Sequence, residues 1–189
     1  GPYLRDPEPG SIPGLVREDS DVIIGTLAGL RTVKNLPRLV RAFATLPANT
    51  KLVIVGEGPE RAAILAEARR LGVSERVLMP GFLAQPHRYI GHFDIFALSS
   101  DSEQFPISLV EAMAAGLPVV STDVGDVKAM VAHENADLVV PVDGGALLAA
   151  ALDVLTWDAA MRQRLGMANR LRARAEYDER AMISRYATL

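Results

Sequence analysis

The sequence predicts an α/β protein, with one doubly wound parallel sheet of six strands and a group of helices closing its C-terminal end. Three observations carry that prediction. Six short apolar runs alternate with helix-length segments. The runs are continuous rather than alternating in polarity, the pattern of strands buried on both faces of a parallel sheet. Beyond Trp157 the pattern turns purely helical.

In chain order, residues 1–20 carry Pro2, Pro7, Pro9, Gly10, Pro13 and Gly14 among charged residues, the composition of a linker or extended lead-in rather than of core. The opening Gly1-Pro2-Tyr3-Leu4 has no initiator Met, so the chain is expected to be a domain cut from a larger protein, or a processed fragment. Residues 21–158 form the sheet domain. Strands are expected at 22–28, 52–55, 76–79, 94–98, 118–121 and 138–142. Helices are expected between them at 35–46, 59–71, 106–115, 127–132 and 145–155, with a short helical turn at 86–92. Residues 159–189 are helical: one helix over 159–177, rich in Arg, Ala, Leu and Met, then a last one capped by Asp178. Their arginines read as a solvated face rather than a basic groove. Ligands of such a fold sit at the carboxyl ends of the strands.

With 189 residues, 49% of them hydrophobic, the chain has enough apolar material for a sizeable core. A net charge of −3 gives no support to nucleic-acid binding or a polybasic membrane role. The chain has no cysteine, which excludes disulfides and thiolate metal sites. No signal peptide and no bilayer-length apolar run is seen, and a cytoplasmic protein is expected.

The most informative stretch is 99–123, S-S-D-S-E-Q-F-P-I-S-L-V-E-A-M-A-A-G-L-P-V-V-S-T-D. It reads as strand end, acidic loop, helix, glycine stop and next strand. Pro106 falls in the helix's first turn, Gly116 stops the helix and Pro118 opens the strand. Ile107 and Ser108 then offer backbone N–H groups at the positive end of a helix, a place prepared for an anion. Glu103 lies before the helix and Glu111 inside its second turn, one on each side of that anion site. Carboxylates accept from hydroxyls, so the layout suits a ligand with a phosphate in the middle and hydroxyl-rich rings at both ends, such as a sugar nucleotide. Two acids at this spacing also arise by chance, and the surrounding order of loop, Pro, apolar helix, Gly and strand is what distinguishes them.

Residues 103–120, E-Q-F-P-I-S-L-V-E-A-M-A-A-G-L-P-V-V, resemble the signature of the donor-binding half of glycosyltransferase family 4. The resemblance extends over 21–158. It implies the C-terminal, Rossmann-like half of a GT-B fold and a retaining transferase that takes a sugar from a nucleotide-sugar donor. The acceptor site would lie on an absent N-terminal domain, toward which the closing helices would pack. Any peripheral membrane contact would belong to that domain too. The residue after the first Glu is commonly Gly in the family and is Gln104 here, which narrows the site although its backbone, like that of Phe105, still reaches a sugar.

Lys34 precedes Asn35, a candidate N-cap, and Pro37. A cation beside a helix N-terminus opposes the dipole and needs an anion, which a diphosphate would supply; the plain alternative is an exposed loop lysine. The family's Arg, four residues before its Lys, falls on Gly29, and Arg31 is the candidate substitute. Gly56-Glu57-Gly58-Pro59 resembles the family's Gly-x-Gly-Pro turn, where Gly56 and Gly58 serve either the approach of a nucleotide or the turn alone. Arg61 points into the same cleft or to solvent. Phe82 and Leu83, after Gly81, match the family's base-recognition position, and Phe82 reads equally as core. Asp123 is near the sugar or a turn former. His87, His92 and His133 have no metal-ligand spacing, and with no Asp-x-Asp the donor is expected to bind without metal or other cofactor. In this scheme Glu103 and Lys34 carry the chemistry, with Glu111 on the ribose. Two rivals stay open: a non-catalytic nucleotide-sugar-binding module, and a nucleotide-sugar epimerase of the same architecture.

Overall fold

The computed structural model describes residues 10–177. Its six strands are β1 (Val22–Leu27), β2 (Thr50–Val55), β3 (Val77–Gly81), β4 (Ile95–Leu98), β5 (Val119–Thr122) and β6 (Val139–Val140). They run parallel in the order β3-β2-β1-β4-β5-β6. The α-helices are α1 (Leu36–Phe43), α2 (Arg61–Arg70), α3 (Ile107–Ala114), α4 (Val127–Met130), α5 (Gly145–Trp157) and α6 (Ala159–Glu176). This is the Rossmann-like sheet the sequence predicts. The chain leaves β1 toward β2 and β3 on one side, then crosses back to β4 on the other. The carboxyl ends of β1 and β4 therefore flank a crevice, the topological switch point where such sheets bind ligands.

Each face of the sheet carries its own core. One gathers Ile24, Leu52, Ile54 and Ile95 with Leu39, Val40 and Phe43 of α1, Ile64 of α2 and Leu152 of α5. The other gathers Ile23, Val53, Phe96 and Val119 with Leu109, Val110 and Met113 of α3 and Ala173 of α6. Gly25 sits within β1 because the Phe93 ring occupies the space where any Cβ would stand.

Several boundaries differ from the sequence expectation, each for a local reason. The strand expected at 138–142 pairs only at Val139–Val140, because 133–138 winds into a 3-10 helix and Pro141 has no N–H to continue the ladder. The strand expected at 76–79 starts after the 3-10 turn Ser74–Arg76 and runs to Gly81, carrying Pro80 on an edge strand, where proline is tolerated. The segment 86–92 holds two 3-10 turns, Pro86–Arg88 and Ile90–His92. Pro106 is the cap of α3 rather than its first turn, and α4 stops at Met130 because Val131 is extended. The lead-in is not wholly outside the core: Ile12 is buried. It is also stitched down, since Arg17 ion-pairs with Asp94 and donates to the His92 carbonyl. The last helix, expected from Asp178, lies outside the described residues.

The arginines of α6 do more than solvate a face. Arg172 donates to the Val131 carbonyl at 2.9 Å, and Arg162 reaches the Leu155 and Thr156 carbonyls. No helix among the described residues is long and apolar enough to cross a membrane.

Candidate functional site

Two loops meet at the switch point. After β1 the chain passes Gly29 and Arg31, makes the 3-10 turn Thr32–Lys34, and enters α1 through Asn35. Asn35 is left-handed (φ 44) and its side chain caps the Arg38 N–H, the N-cap role expected of it. After β4 the chain runs through Ser99 and Ser100 to Glu103. The loops are bolted together: Asp101 N–H donates to Val33 O at 2.8 Å, Ser99 Oγ to Lys34 O at 3.1 Å, and Arg38 to both Ser99 O and Asp101. Thr122 Oγ1 of β5 holds the Ser100 carbonyl from below.

That bolting brings Lys34 Nζ to 2.5 Å from Glu103 Oε1, which also accepts from Ser100 Oγ at 2.8 Å. The Glu103 side chain is only 9% exposed. The anion that Lys34 needs at the start of α1 is thus a protein carboxylate in this structure. Gly125 explains how Glu103 is held: at φ 50, its Cα lies so close beneath the Glu103 and Gln104 carbonyls that a Cβ would collide with them. Asp123, two residues earlier, is exposed, with its N–H on Val140 O.

Beside this pair lies a cavity of about 700 Å³. Of the candidate residues, its lining takes Gly56, Phe82, Leu83, Ile107, Ser108 and Glu111, together with Gly29. Ile107 and Ser108 open α3, whose cap Pro106 makes no side-chain bond to them. Glu111, one helical turn deeper, is a carboxyl-bearing residue only 8% exposed. Leu27, Val55, Phe82 and Leu83 give the lining its apolar part, and Phe82, 76% exposed, is a surface ring rather than core. Lys34, Arg31, Glu103, Gln104, Phe105 and Gly58 are not in the lining. Arg31 folds back over Gly29, its Nε 3.9 Å from where a Cβ there would stand. Gln104 is exposed, and the Phe105 ring meets Tyr177 edge-on at 6.0 Å. Gly58 is required by its own chain, since a Cβ would come within 2.6 Å of Leu30 O. Gly56 likewise abuts Ala28 O. Arg61 bonds Met79 O and Glu57.

Sequence reasoning missed Tyr89, which lines the same cavity from the irregular segment after β3. Burial, and secondarily the nearby Glu111 charge, push its phenol up to about 12. No sequence signal marks it beyond an aromatic beside a Pro-containing turn. His92 contacts the Gly10 carbonyl, and among the described residues no three or more His, Asp or Glu stand together as a metal site. The arrangement can hold a flat ring on its apolar wall, an anion on the α3 amides and hydroxyls on Glu111.

Residues 12–172 match the model of the family described as glycosyl transferases group 1. The chain is 28% identical over 173 residues to N-acetyl-alpha-D-glucosaminyl L-malate synthase of Bacillus anthracis, covering 90% of this chain and 45% of that protein. It is 31% identical over 168 residues to the Campylobacter jejuni N-acetylgalactosamine-N,N'-diacetylbacillosaminyl-diphospho-undecaprenol 4-alpha-N-acetylgalactosaminyltransferase, covering 88% and 46%. The fold superposes on HepE of Anabaena, solved with UDP and glucose, with a TM-score of 0.80 at 22% identity over 90% of this chain and 49% of that one. It also superposes on sucrose-phosphate synthase of Thermosynechococcus elongatus, with a TM-score of 0.80 at 25% identity over 89% and 44%. The chain spans about half the length of these relatives.

Proposed function

The chain belongs to the group 1 glycosyl transferases, and on that premise we propose that it is the donor-binding half of a retaining, two-domain GT-B enzyme. The enzyme would move a hexose from a nucleotide sugar to an acceptor held by another domain. The observation that supports this most is one cavity at the sheet's switch point that joins an apolar wall, the α3 N-terminus and buried Glu111. The base lies on Phe82 and Leu83, the ribose hydroxyls donate to Glu111, and the diphosphate docks on the Ile107 and Ser108 amides. A UDP-sugar is the first donor to test, since the superposing HepE structure holds UDP and glucose.

In this scheme Lys34 changes partners. Without donor it is neutralised by Glu103. Incoming phosphate competes for the ammonium, and Glu103 is released to accept from the hydroxyls of the transferred sugar. When the bond between anomeric carbon and phosphoryl oxygen breaks, its electron pair goes to the diphosphate. Lys34, the α3 amides and Arg31 then stabilise the added charge without a metal, so EDTA should leave donor binding unchanged. We place the reaction in the cytoplasm, and expect the isolated half to bind donor but transfer poorly.

A thermal-shift screen against UDP-, GDP- and ADP-sugars tests the proposal. One donor should raise the melting temperature, and Glu111→Ala should abolish that shift, a loss of about 10–100-fold in affinity for a buried carboxylate's bonds to hydroxyls. An unchanged shift in Glu111→Ala would count against the assignment. Gly29, where the family's Arg would stand, favours a second reading as a binding module without turnover. Donor hydrolysis or transfer by the full-length protein separates the two.

A further inference from the structure

Residues 82–84 connect β3 to the turn Pro86–Arg88 and form the base-side wall of the cavity through Phe82 and Leu83. Leu83 and Tyr89 also line a second cavity of about 340 Å³, together with Ala84 and Gln85, so the segment borders two open spaces. It is bracketed by two left-handed residues, Gly81 (φ 87) and Gln85 (φ 57). Among the described residues no main-chain hydrogen bond joins residues 82–84 to the rest of the molecule. What reaches the segment is a side chain: Tyr89 Oη donates to the Leu83 carbonyl at 3.1 Å. Tyr89 is itself fixed, 5% exposed within the core that holds Ile90, Phe93 and Leu109.

We propose that Tyr89 is a positioning residue for base selectivity: its hydroxyl pins the Leu83 carbonyl and so fixes the hydrogen-bonding face that the wall shows to a nucleobase. The proposal rests on the donor-binding reading and adds to it the device that discriminates between bases. A carbonyl on an untethered segment turns toward a base donor or away from a base acceptor, and so tells bases apart poorly. Discrimination needs a polar group held in place, so that the wrong edge leaves it unpaired. The phenol occupies one lone pair of the Leu83 oxygen and sets its direction. Tyr89 and Glu111 line the same cavity and interact electrostatically.

The test is isothermal titration of UDP, GDP and ADP into the full chain and into Tyr89→Phe, which keeps the ring and loses only the hydroxyl. Affinity for the two diphosphates that wild type disfavours should rise about fivefold, because a carbonyl free to turn away no longer leaves a mismatched base edge unpaired, while the preferred one changes by less than about twofold. Selectivity therefore narrows about fivefold while the unliganded melting temperature stays close to wild type. Gln85→Gly, which loosens the bracket but keeps the tether, should retain wild-type selectivity. An equal fall for all three nucleotides would make Tyr89 merely structural, and no change would leave the tether without a role; either overturns the proposal, as does lost selectivity in Gln85→Gly. Wild type binding none of the three would instead overturn the donor-binding reading, before any variant is compared.

Discussion

Lys34 and Glu103 meet at 2.5 Å across loops that are 69 residues apart in sequence. Their pairing makes opposite predictions for the two truncations. Lys34→Ala leaves a nearly buried carboxylate with Ser100 as its remaining hydrogen-bond partner among the described residues. It should cost about 1–3 kcal/mol of stability by chemical denaturation and weaken UDP binding. Glu103→Ala removes the competitor for Lys34, so UDP should bind as well or better while the extra affinity conferred by the sugar of a UDP-hexose is lost. Equal losses for UDP and UDP-hexose in Glu103→Ala would rule out the exchange of partners. Both residues were legible as types at telling positions, beside a helix cap and before an anion-ready helix. Their contact was not, because it exists only after the sheet brings the ends of β1 and β4 together. Tyr89 was not legible at all, since its meaning lies in the bond to Leu83 rather than in any pattern.

At the scale of elements, α3 is the piece that must not move, since it carries Ile107, Ser108 and Glu111. Its C-terminus closes in a Schellman motif: Gly116 is left-handed (φ 79) with its N–H on Met113 O, and Leu117 N–H bonds Ala112 O. α6 crosses it there, with Gly166 packed so tightly on the Gly116 carbonyl that a Cβ would collide. Behind the crossing, fully buried Asn169 donates to Leu117 O and Asn135 Oδ1 and accepts from Ala132 N–H, each at 2.9 Å. Asn135 in turn clasps both main-chain groups of Val119. Asn169→Ala would leave buried donors and acceptors unpaired and should cost about 2–4 kcal/mol in denaturant unfolding, with donor affinity unchanged well below the melting point. The glycine stop of α3 could be read from sequence because Gly after an apolar helix has one local meaning. Asn169 could not, because a polar residue in an Arg-rich helix reads as part of its wet face.

At the scale of the whole molecule, the alternation of apolar runs was enough to give the doubly wound sheet, and the sheet order then places the site between β1 and β4. Strand ends were harder to read where 3-10 turns run into them, as Ser74–Arg76 does before β3 and His133–Leu138 does before β6, because such turns share composition with loops. Stability against pH should be bounded by two groups. Asp21 is held below the ordinary carboxylate value of 3.8, first by the Glu18 N–H and then by Lys51, so its contribution is present above that value and fades as pH falls through the lowered pKa. Tyr89 is raised from 10.0 to about 12, so its contribution is intact below pH 10 and is lost as pH climbs toward 12. Equilibrium unfolding followed across pH checks both limits, and Tyr89→Phe should flatten the alkaline one.

The central claim is that a nucleotide sugar occupies the cavity under the α3 N-terminus. The most direct measurement is a crystal structure with a UDP-hexose, or with the best donor of the screen. The account predicts the diphosphate on the Ile107 and Ser108 amides within reach of Lys34, Glu111 on the ribose, and Glu103 turned from Lys34 to the sugar. A nucleotide bound elsewhere, or a diphosphate away from α3 with the Lys34–Glu103 pair intact, would contradict it.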